Sequence, residues 1–218
     1  VQVMLTLMTA VGCWLAARSV LKRFGPAPAA LFLTLLIFYY RRFAGSLMTE
    51  NLGLLLGGIG FALFFEAVEL RSIKRALVGL AALTLGLISR AGPFFILLAV
   101  GWWLVTSLNK SDVSRLKKVK MGLLAVCVVL LCFGFNQLVY KYLSSPGSQA
   151  FANFSYSLYG LTSGGMRWDK VFADHPDLLY LPAGEQADAI YRLVYQNFSN
   201  HPLLLLQGIA RQYYYLIS

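Results

Sequence analysis

Long apolar runs, separated by short basic or Gly/Pro-bearing breaks, recur along this chain from its first residue. Seven segments approach the length of a bilayer crossing. They are Val1–Ala17, Ala27–Tyr40 behind Pro26 and Pro28, Thr49–Leu70, Ala76–Arg90, Phe94–Leu108, Met121–Tyr140, and one opening at Pro202. Proline near a helix start and Ala91-Gly92-Pro93 between two runs supply the punctuation. The pattern predicts an all-α fold: a polytopic transmembrane helical bundle with about seven spans.

The break in this rhythm is residues 141–201. Their first half mixes aromatics with Gly and Ser, as a folded loop on a membrane surface would. Further on, Ile190, Leu193, Val194 and Phe198 fall on one helical face, which predicts an amphipathic interfacial helix. Three regions are expected: 1–140 as the transmembrane core, 141–201 as a loop carrying the amphipathic helix, and 202–218 as the start of a further span. The chain opens on Val1 inside one apolar run and closes inside another, and is expected to be a fragment. No basic n-region or small-residue cleavage site marks Val1–Ala17 as a signal peptide.

Composition agrees: 58% of the 218 residues are hydrophobic and 13% are charged, and the mean hydropathy is +0.65. The net charge of +10 would suggest nucleic acid in a soluble protein. Here the basic residues gather in alternate short connections: Arg18, Lys22 and Arg23; Arg71, Lys74 and Arg75; Lys110, Arg115, Lys117, Lys118 and Lys120. That asymmetry is a topology signal, so no nucleic-acid partner is expected and the dense side is assigned to the cytoplasm. Loops 41–51 and 141–201 are then extracytoplasmic. Cys13, Cys127 and Cys132 lie in apolar runs without CxxC or Cys/His spacing, and read as small buried hydrophobes.

The candidate chemistry lies on the extracytoplasmic side. In "RRFAGSLMTENL", Thr49 and Glu50 suit a helix start, where an oxygen caps the free N–H groups and a carboxylate complements the dipole. Glu50 also suits a cavity wall that binds a sugar hydroxyl or pairs with an arginine. Arg41 and Arg42 oppose the positive-inside trend; they either snorkel beside Tyr39 and Tyr40 or present a planar fork to a phosphate. Arg90 follows Ala76–Ser89, which is about 21 Å of helix, less than the ~30 Å hydrocarbon core. An arginine at that depth should face the bundle interior and find an anion. Glu66 and Glu69 read as interfacial, reaching towards Arg71 and Lys74. Asp169, Asp174, His175 and Asp177 read as a solvated turn or, alternatively, as a divalent-cation or acid–base set. Asn153-Phe-Ser and Asn197-Phe-Ser match the glycosylation acceptor pattern. No P-loop, GxSxG, HExxH or Cys-rich metal motif is present, and no cofactor is expected beyond a possible divalent cation.

Two stretches, "LMTENLGLLLGGIGFALFFEA" and "LTLGLISRAGPFFILLAVGWWLV", resemble the membrane core of GT-C superfamily glycosyltransferases. The similarity is to the protein-mannosyltransferase-like and aminoarabinose-transferase-like family 39 group, and it covers about residues 1–110. "NFSYSLYGLTSGG" and the helix before His201-Pro202 resemble the extracytoplasmic segment that follows. The resemblance implies a GT-C-like fold in a bacterial inner membrane. It also implies transfer of a sugar from a polyprenyl-phosphate donor to a glycan, lipid or protein acceptor at the outer face. Glu50 and Arg90 are carried over as cavity-lining, substrate-binding positions, with Arg42 and Arg41 as further phosphate ligands. The family's catalytic acidic residue lies in an outer loop expected upstream of Val1, so no catalytic residue is named. The alternatives are a transporter or flippase of lipid-linked saccharides, for which no internal repeat is visible, and a non-catalytic membrane assembly subunit.

Overall fold

The computed structural model describes residues 1–44, 49–89, 94, 96–108, 115–144, 149 and 151–217. Among these, all regular secondary structure is helical, as the hydropathy pattern predicts. The helices are α1 (Gln2–Phe24), α2 (Pro26–Tyr40), α3 (Thr49–Leu70), α4 (Ile73–Ser89), α5 (Ile96–Leu108), α6 (Arg115–Leu143), α7 (Ala152–Thr162), α8 (Lys170–Asp174), α9 (Ala183–Asn200) and α10 (Pro202–Ile217). A 3-10 turn over Pro176–Tyr180 links α8 to α9. The chain forms two compact units, Val1–Asn136 and Gln137–Ser218. The division falls within α6, close to the boundary expected at 140, and places α10 in the same unit as residues 141–201.

Among the described residues, three helices are long and apolar enough to cross a membrane: Gln2–Phe24, Thr49–Leu70 and Leu116–Leu143. They mark the chain as a membrane protein. The other four apolar segments are shorter helices. At 15 and 13 residues, α2 and α5 reach only about 22 and 20 Å against a hydrocarbon core of ~30 Å. The described parts of α4 and α10 have 17 and 16 residues. In contrast, α1 and α6 run past their expected ends, because Arg18, Lys22, Arg23, Lys117, Lys118 and Lys120 stand on helical turns rather than in loops. Long aliphatic stems let such residues extend a span while their charges reach water.

In the first unit, one residue joins α1 to α2. Gly25 has φ 88, a conformation open to glycine without steric cost, and Pro26 starts α2 with its fixed φ. The α3–α4 turn is equally short. Ser72 N–H bonds the Ala67 carbonyl at 2.9 Å around Arg71 at φ 51, which is a Schellman closure. Ser72 Oγ then accepts the Arg75 N–H at 3.4 Å and caps α4.

Glycines set how closely the helices pack. A Cβ on Gly60 would lie 2.8 Å from the Gly79 carbonyl oxygen, and one on Gly86 would lie 3.1 Å from the Gly53 carbonyl oxygen. The pairs 53/86 and 60/79 fix an antiparallel register two helical turns apart. On the other side of α3, a Cβ on Gly58 would lie 2.5 Å from the Gly12 carbonyl oxygen. Small residues are the usual means of bringing backbones together in lipid, where water does not drive association. Thr9 and Gly12 of α1 meet Asn51 and Leu55/Gly58 of α3, so these two helices run parallel. Phe64, Ala67, Ala76, Leu80, Leu97, Leu104 and Ala125 form the core between α3, α4, α5 and α6. Met121, Ala125 and Cys132 mark the buried face of α6, while Leu123, Leu124, Leu130, Leu131 and Phe135 point outwards. Exposed leucines of this kind suit a lipid-facing surface.

The second unit is a small helical fold with its own core of Tyr159, Val171, Leu178 and Ile190. Leu193 and Val194 of α9 pack on it, whereas Phe198 stays exposed. The apolar face expected to rest on a membrane surface is therefore covered largely by α7 and the short helices. α10 docks through Gly208, whose Cα faces the Leu161 carbonyl so closely that a side chain has no room. Gln212 Nε2 adds a hydrogen bond of 2.9 Å to the Gly165 carbonyl.

Candidate functional site

The antiparallel and parallel pairings of the first unit sort its charges to two ends. One end brings together the start of α1, the turn after α2, the first turn of α3 and the last of α4. Asn51 ties three of them. It is fully buried, its Nδ2 donates to the Phe43 carbonyl at 3.3 Å, and its own carbonyl accepts from Thr9 Oγ1 at 3.1 Å. Thr9 is also fully buried and shares its proton with the Leu5 carbonyl at 2.8 Å. The end of α4 is close by, since a Cβ on Gly53 would lie 3.4 Å from Ser89 Oγ.

On this scaffold α3 starts at Thr49 itself, with Glu50 in its first turn. Glu50 is half-buried beside the buried Asn51. Free N–H groups at a helix start favour a carboxylate there. Arg41 ends α2, with its N–H bonded to the Ile37 carbonyl at 2.9 Å and its guanidinium 4.8 Å from the Phe38 ring centre. That stacking holds one arginine along the helix surface. Arg42 is exposed in the following turn. Tyr39 packs against Phe43 at 5.2 Å between ring centres. The Tyr40 hydroxyl is buried without a hydrogen-bond partner among the described residues. The structure thus brings Arg41, Arg42 and Glu50 to one end of the bundle. Arg90 and Ala91-Gly92-Pro93 lie outside the described residues; α4 ends at Ser89, one residue before Arg90.

At the opposite end Glu66 meets Arg75 at 2.9 Å across the α3–α4 turn. The sequence suggested Arg71 and Lys74 as partners. The Schellman turn instead sends α4 back along α3 and brings Arg75, one helical turn in, over Glu66. Helical spacing within α3 alone could not reveal this pair.

In the second unit Asp174 of the Asp-His-Pro-Asp string is bonded within the fold. Lys170 Nζ donates to Asp174 Oδ1 at 2.5 Å and Tyr159 Oη to Asp174 Oδ2 at 3.0 Å. Asp169 pairs with Arg167 at 3.2 Å. Tyr156 Oη donates to Gln186 Oε1 at 2.6 Å, and Gln186 Nε2 to the Leu178 carbonyl at 2.7 Å. Among the described residues no group of three or more His, Cys, Asp or Glu is placed to hold a metal ion. The Lys170–Asp174 pair was legible as an i,i+4 contact. Tyr159 and Gln186 were not, because only the packing of α7 against α8 and α9 brings them in.

The Lys170 ammonium holds the Asp174 carboxyl below the usual carboxylate range, and the Tyr159 hydroxyl assists. Burial, then the hydrogen bond to Asp174, raises the Tyr159 phenol. A carboxyl whose folded pKa is depressed stabilises above its unfolded pKa and loses that contribution as pH falls through the folded value. Asp174→Asn should therefore destabilise the protein by ~1 kcal/mol at neutral pH. The gap to wild type should close below about pH 4. Denaturant unfolding of both proteins across pH 3–7 checks this, and a gap that persists at low pH would contradict it.

Comparison of the chain with protein-family models, curated proteins and solved structures returns no match.

Proposed function

We propose that this chain is part of a membrane glycosyltransferase of GT-C type. It moves a sugar from a polyprenyl-phosphate-linked donor to a glycan, lipid or protein acceptor at the extracytoplasmic face. The observation that carries the reading is the gathering of Arg41, Arg42 and Glu50 at the end of the helix bundle opposite the basic helix ends. Among apolar helices, charged groups concentrated at one depth mark a binding region for a polar or anionic ligand. The sequence resemblance supplies the substrate class.

In this proposal the basic ends of α1 and α3 face the cytoplasm of a bacterial inner membrane. Residues 41–51 and 141–201 lie outside. The shorter helices α2, α4, α5 and α10 then count as further crossings, giving the bundle of about seven spans. The guanidinium of Arg42, with Arg90 and Arg41, binds the donor phosphate by charge-assisted hydrogen bonds. A fixed cation in low dielectric also stabilises the charge that grows on that phosphate as the sugar leaves. Glu50, held on the α3 start by its neighbour Asn51, accepts a hydrogen bond from a sugar hydroxyl. The buried Tyr40 hydroxyl stands one residue before Arg41 and suits the same polar ligand.

Sugar transfer by membranes carrying the intact protein tests this. Glu50→Gln, Arg42→Gln and Arg90→Ala should each lower transfer about a hundredfold or more, with the amount and melting temperature of the protein unchanged. Undiminished transfer in all three variants would refute the site. Movement of lipid-linked sugar across the membrane without transfer would favour a transporter.

A further inference from the structure

The basic end of the first unit carries a second cleft, away from the site proposed above. Because α1 and α3 run parallel, their last turns lie side by side around a cleft of about 350 Å³. Arg18, Ser19, Lys22 and Arg23 line it from α1, and Glu66 and Glu69 from α3. Glu66 is neutralised by Arg75 at 2.9 Å. Among the described residues none of Arg18, Lys22 and Arg23 forms an ion pair. The cleft therefore has a surplus of positive charge, with the Glu69 carboxylate beside it.

A second cavity, about 160 Å³, lies nearer the start of α3, between α1, α2 and α3, and is almost wholly apolar. Its walls include Ala16 of α1, Phe32 and Leu36 of α2, and Leu54, Gly57 and Phe61 of α3. The two share no lining residue and stand about one helical turn apart along α1 and α3. Ala16 is followed by Ser19 and Arg23, and Phe61 by Phe65, whose ring packs 4.7 Å from the Phe61 ring. A Cβ at Gly57 would meet nothing within 4 Å, so the trough is open where that side chain is missing. Phe65 lines the basic cavity, with the Arg23 guanidinium 5.9 Å from its ring centre.

An apolar cavity one helical turn from unpaired cations suits one chemistry: a phosphate ester on a hydrocarbon chain. We infer that the basic cleft between α1 and α3, with the apolar cavity one turn away beside α2, binds a phospholipid. Its phosphate rests on Arg18, Lys22 and Arg23, its acyl chain lies against Phe32 and Phe61, and Glu69 accepts a hydrogen bond from a head-group donor. Basic pockets between transmembrane helices are suited to lipid head groups, and two cations near a lipid phosphate contribute about thirtyfold in binding. The site is separate from the one proposed for sugar transfer, which stands at the other end of α3.

Native mass spectrometry of the intact protein, released from phosphatidylcholine nanodiscs doped with phosphatidylglycerol, tests the assignment. The wild type should retain one phosphatidylglycerol. Lys22→Gln/Arg23→Gln, at exposed positions, should retain about thirtyfold less. Gly57→Leu should also lose the lipid, because its side chain fills the trough, while melting like the wild type. Glycerol 3-phosphate in excess should not displace the lipid. Retention unchanged in both variants would overturn the site. Displacement by glycerol 3-phosphate, with Gly57→Leu binding normally, would overturn the lipid and assign the cleft to a soluble phosphate ester.

Discussion

Gly60→Leu is expected to break the α3–α4 pair and to be the most damaging single substitution in the first unit. A Cβ at this position would lie 2.8 Å from the Gly79 carbonyl oxygen and 3.0 Å from the Leu83 nitrogen. Both are backbone atoms of a packed helix and cannot rotate aside. The leucine must push α4 away, which also opens the 53/86 contact and the core around Phe64, Ala67 and Leu80. Overpacking a filled core costs about 1–3 kcal/mol. A whole helix seam stands behind this contact, so a loss at or above the upper end is expected. Gly101→Leu is the matched control: a Cβ there meets nothing within 4 Å, and a leucine has the better helix propensity. Thermal unfolding in detergent should show a large fall in Tm for Gly60→Leu and little change for Gly101→Leu. Equal behaviour of the two would contradict the close seam.

That seam illustrates what the sequence could and could not show. The helices themselves were legible, because runs such as Thr49–Leu70 have one stable state in hydrocarbon, with every backbone group bonded internally. Their ends were less so. Hydropathy closed the first segment at Ala17, but the backbone stays helical to Phe24, since Lys and Arg are good helix formers whose charges leave the apolar zone along their stems. The number of crossings is less legible for a related reason. Apolar composition marks a segment as lipid-compatible, whereas crossing needs length, and among the described residues three helices have both.

The candidate site divides along the same line. Arg41, Arg42 and Glu50 stood out through charge against an apolar background, and the fold does bring them to one end. What joins them is Asn51, which binds the 41–44 turn to α3 and α3 to α1. A lone asparagine beside a glutamate carries no signal until the parallel pairing of α1 and α3 is known. The Glu66–Arg75 pair was hidden by a turn geometry that places a non-glycine residue, Arg71, at positive φ. In the second unit the amphipathic period of α9 was visible, but not its partner. An apolar stripe reads alike whether lipid or protein covers it, and here Tyr159, Val171 and Leu178 do.

The second large effect concerns the membrane itself. α3 has 22 residues, about 33 Å of helix, enough to carry its two ends to opposite faces of the bilayer. Arg42 is exposed at the polar end, and Lys74 at the basic end. The proposed function requires the first to face outwards and the second to face the cytoplasm. In a background with Cys13, Cys127 and Cys132 replaced by alanine, Arg42→Cys and Lys74→Cys each offer one thiol. A membrane-impermeant maleimide applied to intact cells should label Arg42→Cys fully. It should reach Lys74→Cys only after permeabilisation. Labelling of both from the same side, or the reverse order, would contradict an outward-facing polar end and with it the proposed site of sugar transfer.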